Sequence, residues 1–257
     1  MLKAGIFLDI ENLIRNGGRG LRYDVLKHFV AAQGVTIVRA NAYVAIDKET
    51  EAQNREALQR GEEYRNAIRR NGFHVILKEV IRYKDSEGNI VEKANADIDL
   101  AVDALLQSEN LDYILIGSGD GDFILLVRAI QNRGKRVDVL SFANTSHRLR
   151  READYYFSGF LIPDLLPYYI NGKNRYYGQM HTVVDQGYGF LTVRVGLKPE
   201  EVMSDIFLHI SEFSIDGKPV DQNRFAQVKT REEVVEFSLV EQKDGRVKAV
   251  DACLFRP

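Results

Sequence analysis

The chain has 257 residues, 45% of them hydrophobic and 28% charged, enough for one large domain or two smaller ones. Lys and Arg number 35 against 37 Asp and Glu, so no global basic field marks a nucleic-acid binder, and any such role rests on local patches. The single cysteine, Cys253, excludes an intrachain disulfide and a cysteine-built zinc site, and no apolar run approaches the ~18–20 residues of a membrane span.

In chain order, KAGIFLDI at 3–10 reads as a first strand rather than a signal peptide, and it ends in Asp9, Glu11 and Asn12. A cytoplasmic protein with no membrane partner is expected. Residues 22–32 have helical spacing, closed by Gln33-Gly34, and 35–45 is a β-branched strand. Residues 48–70 read as one long polar helix ended by Asn71-Gly72, and 73–83 as a strand followed by a polar turn at 84–89. The segment ADIDLAVDALL predicts a helix over 96–106 with Ile98, Ala101, Val102 and Leu105 facing inward, and with Asp99 and Asp103 on another face. Residues 113–116 form a strand cut off by Gly117, and 123–132 a helix. A strand at 136–141, a helix at 146–153 and a last short element at 155–157 complete this part.

Strands alternating with helices predict an α/β fold with a mostly parallel sheet, whose strand carboxyl ends line one edge. That edge receives Asp9 and Asn12 from the first strand, and Ser118, Asp120 and Asp122 from the turn GSGDGD; Asp97 opens a helix there. Two carboxylates among glycines suit a hard cation with oxygen ligands, and the same residues suit the cap of the next helix. The glycine spacing at 117, 119 and 121 is not that of a dinucleotide loop, and two carboxylates there would repel a pyrophosphate.

DIEN at 9–12, KANADIDLAVDAL at 93–105 and GSGDGDF at 117–123 closely resemble the motifs of NYN-domain proteins of the PIN-like nuclease superfamily. The resemblance covers roughly residues 1–165. It implies a PIN-like sheet, a divalent cation (Mg²⁺ or Mn²⁺) and hydrolysis of phosphodiester bonds in RNA. By the same resemblance Asp9, Asp97, Asp120 and Asp122 are the acidic catalytic positions, and Asn12 is the amide of the first motif. Asp9 and Asp120 are then expected as metal ligands, and Asp97 and Asp122 as further ligands or as groups that orient the attacking water. Asn12 and Ser118 are expected to bond to substrate or to a ligand carboxylate, with Asp99 and Asp103 as extra members of the set. The alternative is a non-catalytic RNA-binding protein that keeps a relict metal site.

Proline and tyrosine cluster at 163–172, placing a boundary near 165–175. From Tyr176 the pattern is all-β, without helical periodicity apart from a turn near 199–203, and predicts a small barrel over 176–257. Gln186–Leu191 (QGYGFL) and Asp205–Ile210 (DIFLHI) are similar to the two RNA-binding motifs of cold-shock domains, which implies an OB-type barrel. On that reading Tyr188, Phe190, Phe207 and His209 form a platform for stacking single-stranded RNA bases. The same alternation also suits core. The position of the family's stacking tryptophan falls on Thr182 in this alignment, and the chain has no Trp. Residues from 175 onward carry 11 Lys and Arg against 13 Asp and Glu. Self-association is left open.

Overall fold

Eight residues from Leu2 to Asp9 form strand β1 at the centre of a six-stranded sheet. The computed structural model describes residues 1–84, 90–93, 96–167, 175–242 and 245–256, with backbone alone at 81–84 and 90–93. The polar turn at 85–89, residues 94–95 of the second motif and linker residues 168–174 lie outside the described residues. Two compact units separate at Ser158/Gly159.

In the first unit β1 leads through α1 (Ile10–Arg15) and α2 (Tyr23–Ala31) to β2 (Val35–Ile46). Helices α3 (Lys48–Gln53) and α4 (Arg55–Arg70) precede β3 (His74–Glu79), and the hairpin β4 (Ile81–Lys84) and β5 (Ile90–Lys93) follows. Then come α5 (Ala96–Gln107), β6 (Tyr113–Gly117), α6 (Ile124–Gln131), β7 (Arg136–Ser141), α7 (His147–Glu152) and β8 (Tyr155–Ser158). The order across the sheet is β3-β2-β1-β6-β7-β8, and every pairing is parallel. The chain winds outward from β1 in one direction through β2 and β3. It then restarts beside β1 at β6 and winds the other way. The crevice between the carboxyl ends of β1 and β6 is therefore the point where the strand order reverses, the usual ligand position in such sheets. Helices cover both faces. Phe7, Ile114 and Ile116 pack with Leu100 of α5 and Val127 of α6 on one side. On the other, Phe29 of α2 meets Phe157 of β8 edge to face at 4.8 Å.

Three expectations for the elements are corrected. The helix at 48–70 is two helices, because Asn54 takes an extended conformation and its Oδ1 accepts the amides of Glu56 and Ala57, restarting the helix. The strand at 73–83 ends at Glu79, beyond which the β4–β5 hairpin begins. Helix α5 buries Ala96, Leu100 and Ala104; of the residues expected inward, Ala101 and Leu105 pack partly buried against the core, whereas Ile98 and Val102 project into solvent. Small alanines let the helix lie close over Phe7 and Tyr43, which the bulkier stripe would not.

In the second unit five strands close into a barrel: β9 (Arg175–Val184), β10 (Tyr188–Arg194), β11 (Val202–His209), β14 (Val234–Glu241) and β15 (Val247–Leu254). The order is β11-β10-β9-β14-β15, and Phe207 pairs with Lys248 in parallel to close the ring. Short strands β12 (Phe213–Ile215) and β13 (Lys218–Pro219) extend from β15. Helix α8 (Gln222–Thr230) was not expected; it starts at Asp221, which accepts the Arg224 amide, and buries only Phe225 and Val228. Leu191, Val193, Ile206, Leu208, Val235 and Phe237 fill the interior.

Candidate metal centre and nucleic-acid face

Asp9 ends β1 and caps α1: its Oδ1 accepts the Asn12 amide at 3.1 Å. Its Oδ2 accepts the Ser118 hydroxyl at 3.3 Å, across the crevice from β6. Ser118 is fully buried, and its Oγ in turn accepts the Asp120 amide at 3.2 Å. Asp120 caps the next turn, its Oδ1 accepting the Asp122 amide at 3.0 Å. Asn12 Oδ1 accepts the Gly119 amide at 2.8 Å, so the first motif physically holds the third. The capping reading of Asp9 and Asp120 holds, and the same bonds bring the two carboxylates to one sheet edge.

The glycines are there for close approach. A Cβ on Gly117 would stand 2.5 Å from Leu8 Cδ2, and one on Gly121 2.9 Å from Ser146 Oγ. The Ser146 amide also donates to the Gly119 carbonyl at 2.9 Å, so the segment after β7 braces the loop from behind.

Burial pushes the Asp9 carboxyl above its ordinary value. The hydrogen bonds from Asn12 and Ser118 oppose this, and the nearby carboxylates of Asp120 and Asp97 add to it. Asp97 on the first turn of α5 is thereby within electrostatic reach of Asp9. Among the described residues no Lys or Arg forms an ion pair with Asp9, Asp97 or Asp120. Asp122 is exposed, and among the described residues it is tied to the others through its backbone amide, which donates to Asp120. Asp99 and Asp103 turn away to other partners: Lys78 Nζ donates to Asp99 at 2.8 Å, and the Tyr43 hydroxyl to Asp103 at 2.9 Å. Among the described residues no three His, Cys, Asp or Glu side chains stand close enough to cage a metal ion. The hard oxygens of Asp9 and Asp120 fit a cation that takes one or two carboxylates and completes its shell with water.

Residues that sequence reasoning missed stand behind the loop. The Thr145 hydroxyl bonds to Ser141 and to the Tyr156 hydroxyl, and Thr145 Cα lies 3.2 Å from a Cβ placed on Gly119. Arg150 sits 4.3 Å above the Tyr156 ring. The run of hydroxyls after β7, on the same sheet edge, was the available signal. Removing the Asn12 tether tests its role. Asn12→Ala leaves the buried Gly119 amide without its acceptor, and is expected to cost about 1–3 kcal/mol in urea unfolding. Exchange of the Gly119 amide is expected to quicken with it.

In the barrel, Tyr188 pairs with His209 and Phe190 with Phe207 across β10 and β11. Gly189, Leu191, Ile206 and Leu208 alternate with them and are buried, so the four rings lie on the outer face. Tyr188 and Phe207 stand 5.5 Å apart at a 32° tilt, and Phe190 and Phe207 6.1 Å apart edge to face. His181 joins them from β9, its ring 6.4 Å from Phe190 and nearly parallel to it at 24°. It is His181 that carries a ring beside Phe190, where the alignment pointed to its neighbour Thr182.

The NYN domain model matches residues 3–164. The chain is 28% identical over 161 residues to the low amplitude and bright protein LabA of Synechococcus elongatus, covering 60% of this chain and 82% of that protein. It is similar to a solved protein of unknown function from Vibrio parahaemolyticus, with 29% identity and a TM-score of 0.47, covering 60% of this chain and 91% of that one.

Proposed function

We propose, for a chain that belongs to the NYN domain family, a family of PIN-like nucleases, a metal-dependent ribonuclease whose barrel engages single-stranded RNA. The observation that carries the reading is Asp9. A carboxylate half-buried where the strand order reverses, beside two others and with no cation paired to it among the described residues, is costly unless a ligand uses it.

Asp9 and Asp120 would hold Mg²⁺ or Mn²⁺. Such an ion neutralises charge on a phosphodiester and lowers the pKa of a bound water. Asp97 and Asp122 complete the acidic edge and accept hydrogen bonds from the attacking water. Asn12 and Ser118 hold the loop that presents Asp120. On the barrel, Tyr188, Phe190, Phe207 and His209 offer ring faces to successive bases.

The absence of a three-residue metal cage among the described residues favours a second reading, an RNA-binding regulator with a relict site. Cleavage of a labelled single-stranded RNA in Mg²⁺ or Mn²⁺, abolished by chelation, separates the two. Hydrolysis of small phosphate esters but not of RNA would overturn both in favour of a phosphatase. The acidic balance of the barrel carries its own expectation. Binding driven by stacking gives a shallow salt dependence, with a log–log slope shallower than about −2, equivalent to roughly three phosphate contacts. A steeper slope measured by fluorescence anisotropy would contradict a stacking platform.

A further inference from the structure

Carboxylates along the acidic edge repel a polyanion. Lys and Arg number 35 against 37 Asp and Glu, so the cations that offset this repulsion have to be local. The segment that braces the edge supplies them. Helix α7 starts at Ser146, whose amide donates to the Gly119 carbonyl and whose Oγ lies 2.9 Å from a Cβ placed on Gly121. Its sequence after the cap is HRLRRE, with Arg148, Arg150 and Arg151 in less than two turns.

The three arginines have different surroundings. Leu149 is fully buried and fixes the inward face of α7. Arg150 is half-buried and lies over the Tyr156 ring at 4.3 Å. Arg151 stands nearly opposite Leu149 on the helix, with Arg148 beside it three residues earlier, and both are exposed. The nearby acids have other partners: Glu152 pairs with Arg128 at 2.6 Å, and Asp154 accepts the Val137 amide at 2.7 Å. Among the described residues neither Arg148 nor Arg151 forms an ion pair. At 1.5 Å per residue, Arg148 and Arg151 lie about 3 Å and about 7.5 Å along the helix from Ser146. They form a cationic ridge that begins beside the glycine–aspartate loop and leads away from it.

We propose that Arg148 and Arg151 bind the phosphate backbone of the RNA strand beside the scissile bond. The proposal rests on the ribonuclease reading of the acidic edge. A planar guanidinium matches two phosphate oxygens at once, and such contacts fix the position of the strand without reading its sequence. Both are positioning residues: they hold the substrate against the acidic edge and take no part in the bond that breaks. On a single strand each phosphate contact adds about 0.7 to the log–log salt slope, so two add about 1.4 and fit within the shallow total already expected.

The test uses the full chain, and its first arm needs no cleavage. Binding of labelled single-stranded RNA is followed by fluorescence anisotropy in chelator over a salt series. Arg148→Gln with Arg151→Gln is expected to flatten the slope by about 1.4 and to weaken binding about tenfold near 0.15 M salt. Arg148→Lys with Arg151→Lys keeps the charges and is expected to keep the slope. Arg69→Gln with Arg70→Gln, at the exposed end of α4 that leads into the amino end of β3, is expected to leave slope and affinity as in the wild type. The second arm follows cleavage in Mn²⁺, where the α7 glutamine pair is expected to raise KM about tenfold with kcat near the wild-type value. An unchanged slope in that pair overturns the proposal even if affinity falls, as does an equal loss of slope in the α4 pair. Tighter binding of polyaspartate than of RNA, lost in the α7 glutamine pair, would assign the ridge to an acidic protein and overturn it too. A wild type that cleaves nothing, while the α7 pair still loses the slope, overturns the ribonuclease reading alone and leaves the ridge as an RNA-binding surface.

Discussion

Asp9→Asn is expected to lower RNA cleavage by about 10²-fold or more and, without divalent cation, to raise the thermal midpoint at neutral pH. The two effects have one origin. Burial disfavours the ionised form of Asp9, and Asp120 and Asp97 add repulsion. A carboxyl whose pKa is raised in the folded state binds a proton there that the unfolded chain has already lost. Its contribution to stability is therefore full below the unfolded value and is lost as pH rises through the raised folded value. The amide removes the charge and keeps an oxygen to accept the Asn12 amide, while its NH₂ faces Ser118. The stability advantage of Asp9→Asn should thus be absent in acid and grow toward neutral pH. Added Mn²⁺ should narrow it, since only the wild type gains a ligand for the charge. Thermal unfolding at several pH values reads the first effect and labelled RNA the second. A variant less stable than wild type at every pH, or one that cleaves normally, would contradict this account of Asp9.

The second large effect belongs to the barrel. Removing both Tyr188 and Phe207 (Tyr188→Ala with Phe207→Ala) is expected to weaken binding of single-stranded RNA by about 2–6 kcal/mol, at roughly 1–3 per stacked base. The two rings touch, so their losses overlap and the lower half of that range is expected. Both side chains are only partly buried, and the core beneath them is built from Leu191, Ile206 and Leu208, so the fold should survive. Val240→Ala, at an exposed position on β14, serves as the control. Unchanged affinity in the double variant would remove the outer face of β10 and β11 from the binding surface.

The acidic edge was legible because its residues terminate elements. Asp9, Ser118 and Asp120 follow apolar runs that end abruptly, and a parallel sheet brings such ends together whatever the intervening chain does. The aromatic alternation on β10 and β11 was legible for a similar reason, since Gly189 and Leu208 leave one face to the rings. What was not legible is which of two competing patterns packs. On α5 the spacing predicted Ile98, Ala101, Val102 and Leu105 inward; Ala101 and Leu105 do pack against the core, but close approach to the sheet selected Ala96, Leu100 and Ala104 and left Ile98 and Val102 exposed. Helix α8 buries just two apolar side chains, too few for a periodicity to stand out. The break at Asn54 is a capping event inside a uniformly polar run, where hydrophobic spacing carries no information. Arg150 stacked on Tyr156 and His181 beside Phe190 are contacts between separate elements, set by register and packing rather than by local pattern.

A divalent cation held at the acidic edge is proposed to serve RNA cleavage. Calorimetric titration of Mn²⁺ into the wild type and into Asp120→Asn, with cleavage of labelled single-stranded RNA followed on the same samples, tests it most directly. The wild type is expected to bind the ion and to cleave, and both properties are expected to be lost together in Asp120→Asn. A wild type that takes up no ion would contradict it, and would leave Asp9, Asp97, Asp120 and Asp122 as structural residues of the sheet edge.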